Sequence, residues 1–410
     1  MFTDNLRFVE KKDAVDLLRN LIRIQSHRET LTKENEIARF ISDRLEKAGI
    51  EVKCREPAEG RPNVIAKVKG SGDGYSLMLT GHIDTVPAYN WGSGMDPFSA
   101  EVEKGKVFGR GACDMKGAVA AMIVALEAIG QSGIDLKGDL IFAGVVGEEG
   151  GGSIGAREII KEGPKTDMAI VGEPTNLDIA IAQRGSYNFE ITTYGKIAHT
   201  GCPERGLNAI VKMARVIEAL QAKLLPEIDQ IRHHLIGTPR MTVALINGGK
   251  ALDVVPDMCK ISINYRSIPG ETVEAVEKYF SKILDDLRVE DQELKVELKE
   301  LRRFFSWKYG TIEHRALPME IGEHCEIVEA LKRTIGYLRG KNPKVIGKSG
   351  WTDAAILVNE GHIPTAICGP GNNQLAHSPV EYLEIDQLNE AAKIYDLTAL
   401  EVCLKEKEKV

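Results

Sequence analysis

The sequence lacks any CxxC pair, and its seven cysteines, at positions 54, 113, 202, 259, 325, 368 and 403, are scattered and odd in number. That excludes a disulfide framework and a thiolate zinc site, so any metal must be held by nitrogen and oxygen. Long apolar runs are missing as well; the longest, residues 118–126, is far too short to span a bilayer. There is no block of one charge sign. The 53 basic and 60 acidic residues are interspersed to a net charge of −7, which leaves no basic footprint for nucleic acid or an anionic membrane. The start, MFTDNLRFVEKKD, carries charges where a signal peptide would have its apolar core, so a cytoplasmic protein is expected. Repeats and low-complexity tracts are also missing. What is present, 43% hydrophobic and 28% charged residues over 410 positions, suits one large or two medium globular cores and a small polar substrate.

Apolar periodicity predicts a helix over 33–48, with Thr32 as N-cap and Gly49 beyond its end. Short apolar strands then alternate with helices: 63–68, 76–80, helix 116–129, 140–146, helix 153–162 and 168–171. This rhythm predicts an α/β layered domain with a mostly parallel sheet. From about residue 184 the order becomes strand 187–194, helix 207–223, strands 241–246 and 259–266, helix 272–287 and strand 294–298, the pattern of a ferredoxin-like α+β unit. A strand at 365–368 and helices near 324–338 and 386–403 return the chain to the first domain. The expected division is therefore 1–183 with 300–410, interrupted by an inserted unit at 184–299.

Three apolar strands stop and at once present ligand-type residues: LMLTG before His82 and Asp84, IFAGVVG before Glu148 and Glu149, and MAIVG before Glu173. Ligands of open α/β sheets bind beyond the carboxyl ends of strands, so these side chains can converge. GRGAC places Asp114 ahead of a helix, and GPGNNQLA places His377 in a Gly/Pro-rich loop. Two histidines and three carboxylates suit zinc or a similar divalent ion, and a shared carboxylate can bridge two ions. Asp84, two residues beyond His82 in an extended segment, is placed to accept the other imidazole N–H. Adjacent carboxylates at 148 and 149 repel unless cations or a proton compensate them, so one can ligate while the other moves protons. Each residue taken alone is ordinary; most strand-end carboxylates are solvated and most lone histidines bind nothing.

Residues 150–155, GGGSIG, satisfy G-x-G-x-x-G between a strand and a helix, with Glu173 ending the next strand, so an NAD-binding oxidoreductase is the competing reading. Electrostatics opposes it. Glu148 and Glu149 would face the pyrophosphate at the helix N-terminus that should attract it.

The stretches LTGHIDTVP, WGSGMDPFSA, GKVFGRGACDMKG, GEEGGGSIGA, VGEPTN, AHTGCPERGLNAI and CGPGNNQLAHSP, in that order and spacing, resemble the M20 metallopeptidase and deacylase family. That group includes acetylornithine deacetylase, succinyl-diaminopimelate desuccinylase, aminoacylase and glutamate carboxypeptidase. The resemblance implies a zinc-peptidase-like catalytic domain with an inserted lid and dimerisation domain, a homodimer, and two zinc ions, with cobalt or manganese also accepted. It implies that Asp114 bridges the ions, that His82 and Glu173 complete one site and Glu149 and His377 the other, that Glu148 is the general base, and that Asp84 orients His82. It further implies a cis Asp114-Met115 peptide, His199 of AHTG reaching a partner's site as oxyanion donor, Arg266 binding a substrate carboxylate, and Thr352 in a substrate loop.

The chain departs from the family pattern at Asp253, where relatives commonly carry asparagine, and at Asn264, often acidic. A carboxylate at 253 near the pocket would favour a cationic or amide-rich substrate over a succinylated one. The implied activity is hydrolysis of an N-acyl amino acid. A carboxypeptidase or dipeptidase acting on a small peptide uses the same centre and is the alternative. Glutamate at 173, where family aminopeptidases tend to carry aspartate, leans toward deacylases and carboxypeptidases.

Overall fold

The computed structural model describes residues 3–10, 13–89, 91–92 and 94–407. Its main sheet has nine strands, in the order Glu51–Ala58, Arg61–Val68, Leu140–Val145, Leu77–His82, Met168–Val171, Thr365–Ile367, Ile179–Gln183 and Met319–Glu320, with Val345–Lys348 also paired to Ile179–Gln183. The centre is parallel as predicted: Leu77–His82 runs parallel to both neighbours, and Thr365–Ile367 runs parallel to Met168–Val171. The flanks are antiparallel, so the sheet as a whole is mixed. The difference has a local cause. Glu51–Ala58 reaches Arg61–Val68 through a tight turn, which joins strands only in antiparallel fashion, and its polar, half-exposed alternation suits an edge.

Central strands are buried on both faces, which is why they read as continuous apolar runs. Helix Gly117–Gln131 is buried from Gly117 through Ile129 because it lies under the sheet and against helix Ile385–Cys403. Its one buried carboxylate, Glu127, is gripped by both arms of Arg44 at 2.7 and 2.9 Å. The first long helix begins at Asn35 rather than 33, and Thr32 does not cap it. Glu34 stands at the cap position with its side chain buried on Arg61 instead.

A second, four-stranded sheet has the order Arg240–Gly248, Met258–Arg266, Tyr187–Tyr194 and Lys295–Glu300, antiparallel throughout. Helices Ala209–Ala219 and Val273–Glu290 cover one face, capped by the side chains of Asn208 and Thr272. Phe189, Ile261, Ile263, Tyr265 and Phe280 fill its own core. This is the strand order of the ferredoxin-like unit. The chain then makes a hairpin, Arg303–Trp307 and Gly310–His314, whose Phe305 and Trp307 pack on the main core.

Candidate metal centre and active-site cavity

Five residues that the sequence separates by nearly 300 positions meet at the carboxyl edge of the parallel strands. His82 ends the central strand, and its Nε2 lies 3.0 Å from Asp114 Oδ1 and 3.6 Å from Glu173 Oε1. On the other side of the same carboxylate, His377 Nε2 lies 3.3 Å from Asp114 Oδ2 and 2.7 Å from Glu149 Oε1. Asp114 thus faces one histidine with each oxygen. Glu148 stands beside His82 and Glu173 within the same small space.

Each position has a structural cause. Gly147 takes φ +83, and a Cβ there would lie 3.2 Å from Ile154, so only glycine turns the chain tightly enough to aim Glu148 and Glu149 inward. The turn is tied by Asp84, whose Oδ1 accepts the N–H of Gly147 at 3.0 Å and whose Oδ2 accepts that of Glu149 at 3.0 Å. The sequence expectation for Asp84 needs correction here. His82 Nδ1 donates to the Asp84 backbone carbonyl at 2.9 Å, while the carboxylate is 3.9 Å away and committed to the turn. Asp114 sits in the irregular segment Ala112–Lys116, and the Asp114-Met115 peptide is cis. The N–H groups of Cys113 and Asp114 donate to Glu381 Oε1 at 2.9 and 3.0 Å, and buried Arg110 holds the other Glu381 oxygen at 2.5 Å.

Electrostatics follows from crowding. Burial disfavours charge on His82, but hydrogen bonds to Asp114 and Glu173 outweigh it and hold the imidazole well above its ordinary pKa. Hydrogen bonds to Asp114 and Glu149 push His377 up to about 10. Burial raises Glu148 well above the usual carboxylate range, with Glu149 and Glu173 adding to it, and takes Glu149 up to about 7. Asp353 is buried nearby, and burial pushes it up to about 6. Nitrogen and oxygen donors set on both sides of one shared carboxylate, amid an excess of carboxylates, fit divalent cations. A further group, His233, His234 and Glu320, meets similar spacing. There His233 Nδ1 accepts the N–H of Leu235 and Ile236, so Nε2 carries the proton and donates to Glu320 at 3.1 Å. That arrangement is a loop clasp and leaves no lone pair for a metal.

The centre opens into a cavity of about 500 Å³, lined by Asp114, Glu148, Glu149, Glu173 and His377 and also by Arg266. A match to the Peptidase family M20/M25/M40 model extends over residues 78–401, the span that carries all of these residues. The chain belongs to the M20/M25/M40 peptidase family. As a member, it is an enzyme that hydrolyses amide bonds. It is 31% identical to N-formyl-4-amino-5-aminomethyl-2-methylpyrimidine deformylase of Bacillus subtilis, over 97% of this chain and 96% of that protein. It is 26% identical to the probable succinyl-diaminopimelate desuccinylase of Staphylococcus aureus, over 97% and 99%. The fold is that of aminopeptidase PepT from Bacillus cereus, with a TM-score of 0.74 at 22% identity over 95% of this chain and 98% of that one. An M20 family metallo-carboxypeptidase from Sulfolobus solfataricus matches with a TM-score of 0.74 at 19% identity, over 95% and 99%.

Within this M20/M25/M40 member the glycine-rich segment at 150–155 forms the turn and the start of helix Ile154–Glu162, so the dinucleotide reading has no support. Three other expected site residues stand away from the cavity wall. Thr352 is fully buried, its hydroxyl on Gln183 at 2.6 Å and accepting the Ala354 N–H at the start of a short helix. His199 and Asp253 are exposed neighbours in the loops after strands Tyr187–Tyr194 and Arg240–Gly248, where Thr200 N–H donates to the Asp253 carbonyl at 3.1 Å. The Asp253 side chain does not line its own chain's cavity. Glu381, Arg110 and Lys348, whose Nζ lies 3.4 Å from Glu173 Oε2, support the centre and have no signature in the sequence.

Proposed function

We propose that this chain is a two-metal amidohydrolase that removes an acyl group from the nitrogen of a small substrate bearing a carboxylate. The observation that carries the reading is the Asp114 carboxylate, with His82 and Glu173 on its Oδ1 side and His377 and Glu149 on its Oδ2 side. His82, Asp114 and Glu173 would hold one ion and His377, Asp114 and Glu149 the other, with zinc the best match to the donors and cobalt or manganese acceptable. The ions would supply Lewis acidity, polarising the amide carbonyl and acidifying water.

The remaining work falls to the chain. Glu148, beside the ligands but with a carboxylate free of hydrogen bonds among the described residues, takes the proton of water and delivers it to the leaving nitrogen. Arg266 holds a substrate carboxylate in the cavity. His199 Nδ1 accepts the Gly201 N–H at 2.9 Å, which leaves Nε2–H as a donor suited to a developing oxyanion. It does not line its own chain's cavity and would serve that of another copy. Residues 184–299 are the inserted lid and dimerisation unit in this reading, with 1–183 and 300–410 the catalytic domain. Their edge strand Arg240–Gly248 has one open side and exposes Leu245 and Ile246, as the nearby helix exposes Ile210 and Val211. The names of the two sequence relatives, a deformylase and a probable desuccinylase, favour N-acyl substrates over peptides.

Amine release from N-formyl, N-acetyl, N-succinyl and dipeptide substrates tests the reading, with metal stripped and then restored. Glu148→Ala should lower kcat by about 10²–10⁴-fold while two metals still bind. Loss of metal in that variant would assign Glu148 to the ligands instead.

A further inference from the structure

Part of the cavity wall is rich in arginine. Four arginines line it, 266, 302, 303 and 315. Two are neutralised inside the chain: Arg302 lies 3.0 Å from Glu300, and Arg315 lies 2.9 Å from Glu313 and 3.2 Å from Glu300. Arg266 and Arg303 have no hydrogen bond or ion pair among the described residues. Arg266 and Arg303 line the same cavity, and burial, with the charge of Arg303 adding to it, lowers the pKa of Arg266. Nothing on the Arg266 strand relieves this. Asn264, two residues earlier on the same face, is an amide occupied with Ser186 and Asn188 at 2.9 Å each.

The hairpin adds a third group. His314 is the direct cross-strand partner of Arg303, so the two side chains stand together on one face of the ribbon, and both line the cavity. Arg157, which can only donate, lies 3.2 Å from His314 Nδ1, which places the imidazole proton on Nε2. Edge contacts with Trp351 at 5.0 Å and Phe305 at 5.9 Å fix the ring. Burial, with Arg157 and Arg303 adding to it, lowers the His314 pKa to about 4, so it remains a neutral donor at neutral pH.

We infer that Arg303 and His314 of the hairpin form, together with Arg266, an anion subsite that selects substrates carrying two carboxylates. The inference rests on the amidohydrolase reading and narrows its substrate class. One carboxylate would pair with Arg266 and leave Arg303 without a counter-ion; a second one neutralises Arg303 as well. Both carboxylates lie outside the scissile amide. The class is therefore an N-acyl acidic amino acid, or an amino acid with a dicarboxylic acyl group, which is the reverse of the preference expected from Asp253.

Two measurements on the metal-loaded protein test it. The first compares kcat/KM for N-acetylglutamate and N-succinylnorleucine with that for N-acetylnorleucine. The dicarboxylates should lead by about tenfold or more, and Arg303→Gln should cut that ratio by about tenfold through KM, with Arg303→Lys restoring part of it. The second is calorimetric titration with glutarate and butyrate, which needs no turnover. Glutarate should bind more tightly, and Arg303→Gln should remove most of that advantage in a protein of unchanged circular dichroism. Equal binding of the two acids, or a variant that weakens both alike, overturns the subsite. If no substrate is turned over but the glutarate advantage depends on Arg303, the subsite stands and the amidohydrolase reading fails.

Discussion

The Nδ1–H of His82 is accepted by the backbone carbonyl of Asp84 at 2.9 Å, while the Asp84 carboxylate ties down the turn that carries Glu148 and Glu149. One residue therefore sets the imidazole tautomer with its main chain and the carboxylate pair with its side chain. An amide at position 84 would turn N–H donors toward backbone N–H donors. Asp84→Asn is expected to weaken metal binding by about 10–100-fold and to lower stability by about 1–3 kcal/mol. Metal titration and urea denaturation check both, and wild-type metal affinity in the variant would contradict the role.

Glu381 is buried, receives the N–H groups of Cys113 and Asp114, and is held by Arg110. Removing its charge strands a buried guanidinium. Glu381→Gln should cost about 3–5 kcal/mol in urea denaturation, and adding Arg110→Met should recover part of that loss. A single variant as stable as wild type would show that Arg110 finds compensation elsewhere.

Asp396 provides a pH dependence remote from the centre. Asn5 Nδ2 donates to its Oδ1 at 2.5 Å, while Asp396 Oδ2 and Asn5 Oδ1 have no partners among the described residues. Burial raises this carboxyl from 3.8 to about 7 in the fold, whereas the unfolded chain ionises from the ordinary value. Its contribution is complete below about pH 4 and is lost as pH rises to about 7, a change on the order of a few kcal/mol. Asp396→Asn, which can pair both amides, should be the more stable form at pH 8 and lack this slope. Parallel stability profiles for the two proteins from pH 5 to 8 would contradict it.

His199 lies outside its own cavity, so Glu148→Ala and His199→Ala subunits should complement one another when mixed. Random exchange gives hybrid dimers with one intact composite site, about a quarter of wild-type activity overall. No recovery after verified subunit exchange would place the oxyanion donor within the same chain.

His82, Glu148, Glu149 and Glu173 were legible as candidates because they follow apolar strands that stop abruptly, whereas Asp114 and His377 stood in Gly-rich segments and were grouped with them as ligands by the family resemblance. The parallel core and the β-α-β-β-α-β order of the second sheet were legible by periodicity. Glu381, Arg110 and Lys348 were not, since a buried ion pair leaves no mark in local pattern. The hairpin of Arg303 and His314 was missed for a related reason: Arg303–Trp307 and Gly310–His314 are short, charged and half-exposed, and their meaning comes from the wall they face. Thr352 and Asp253 do not line the cavity, because their surroundings are tertiary: a buried Gln183 holds the one, and a loop of the second unit carries the other.

The most direct test of the central claim is amine release during stepwise return of zinc to stripped protein, with bound metal counted at each step. Two zinc ions per chain should bind, activity should rise with them, and Asp114→Ala should abolish both. Full activity in metal-free protein, or two bound ions with Asp114→Ala, would contradict an amidohydrolase centre built around the Asp114 carboxylate.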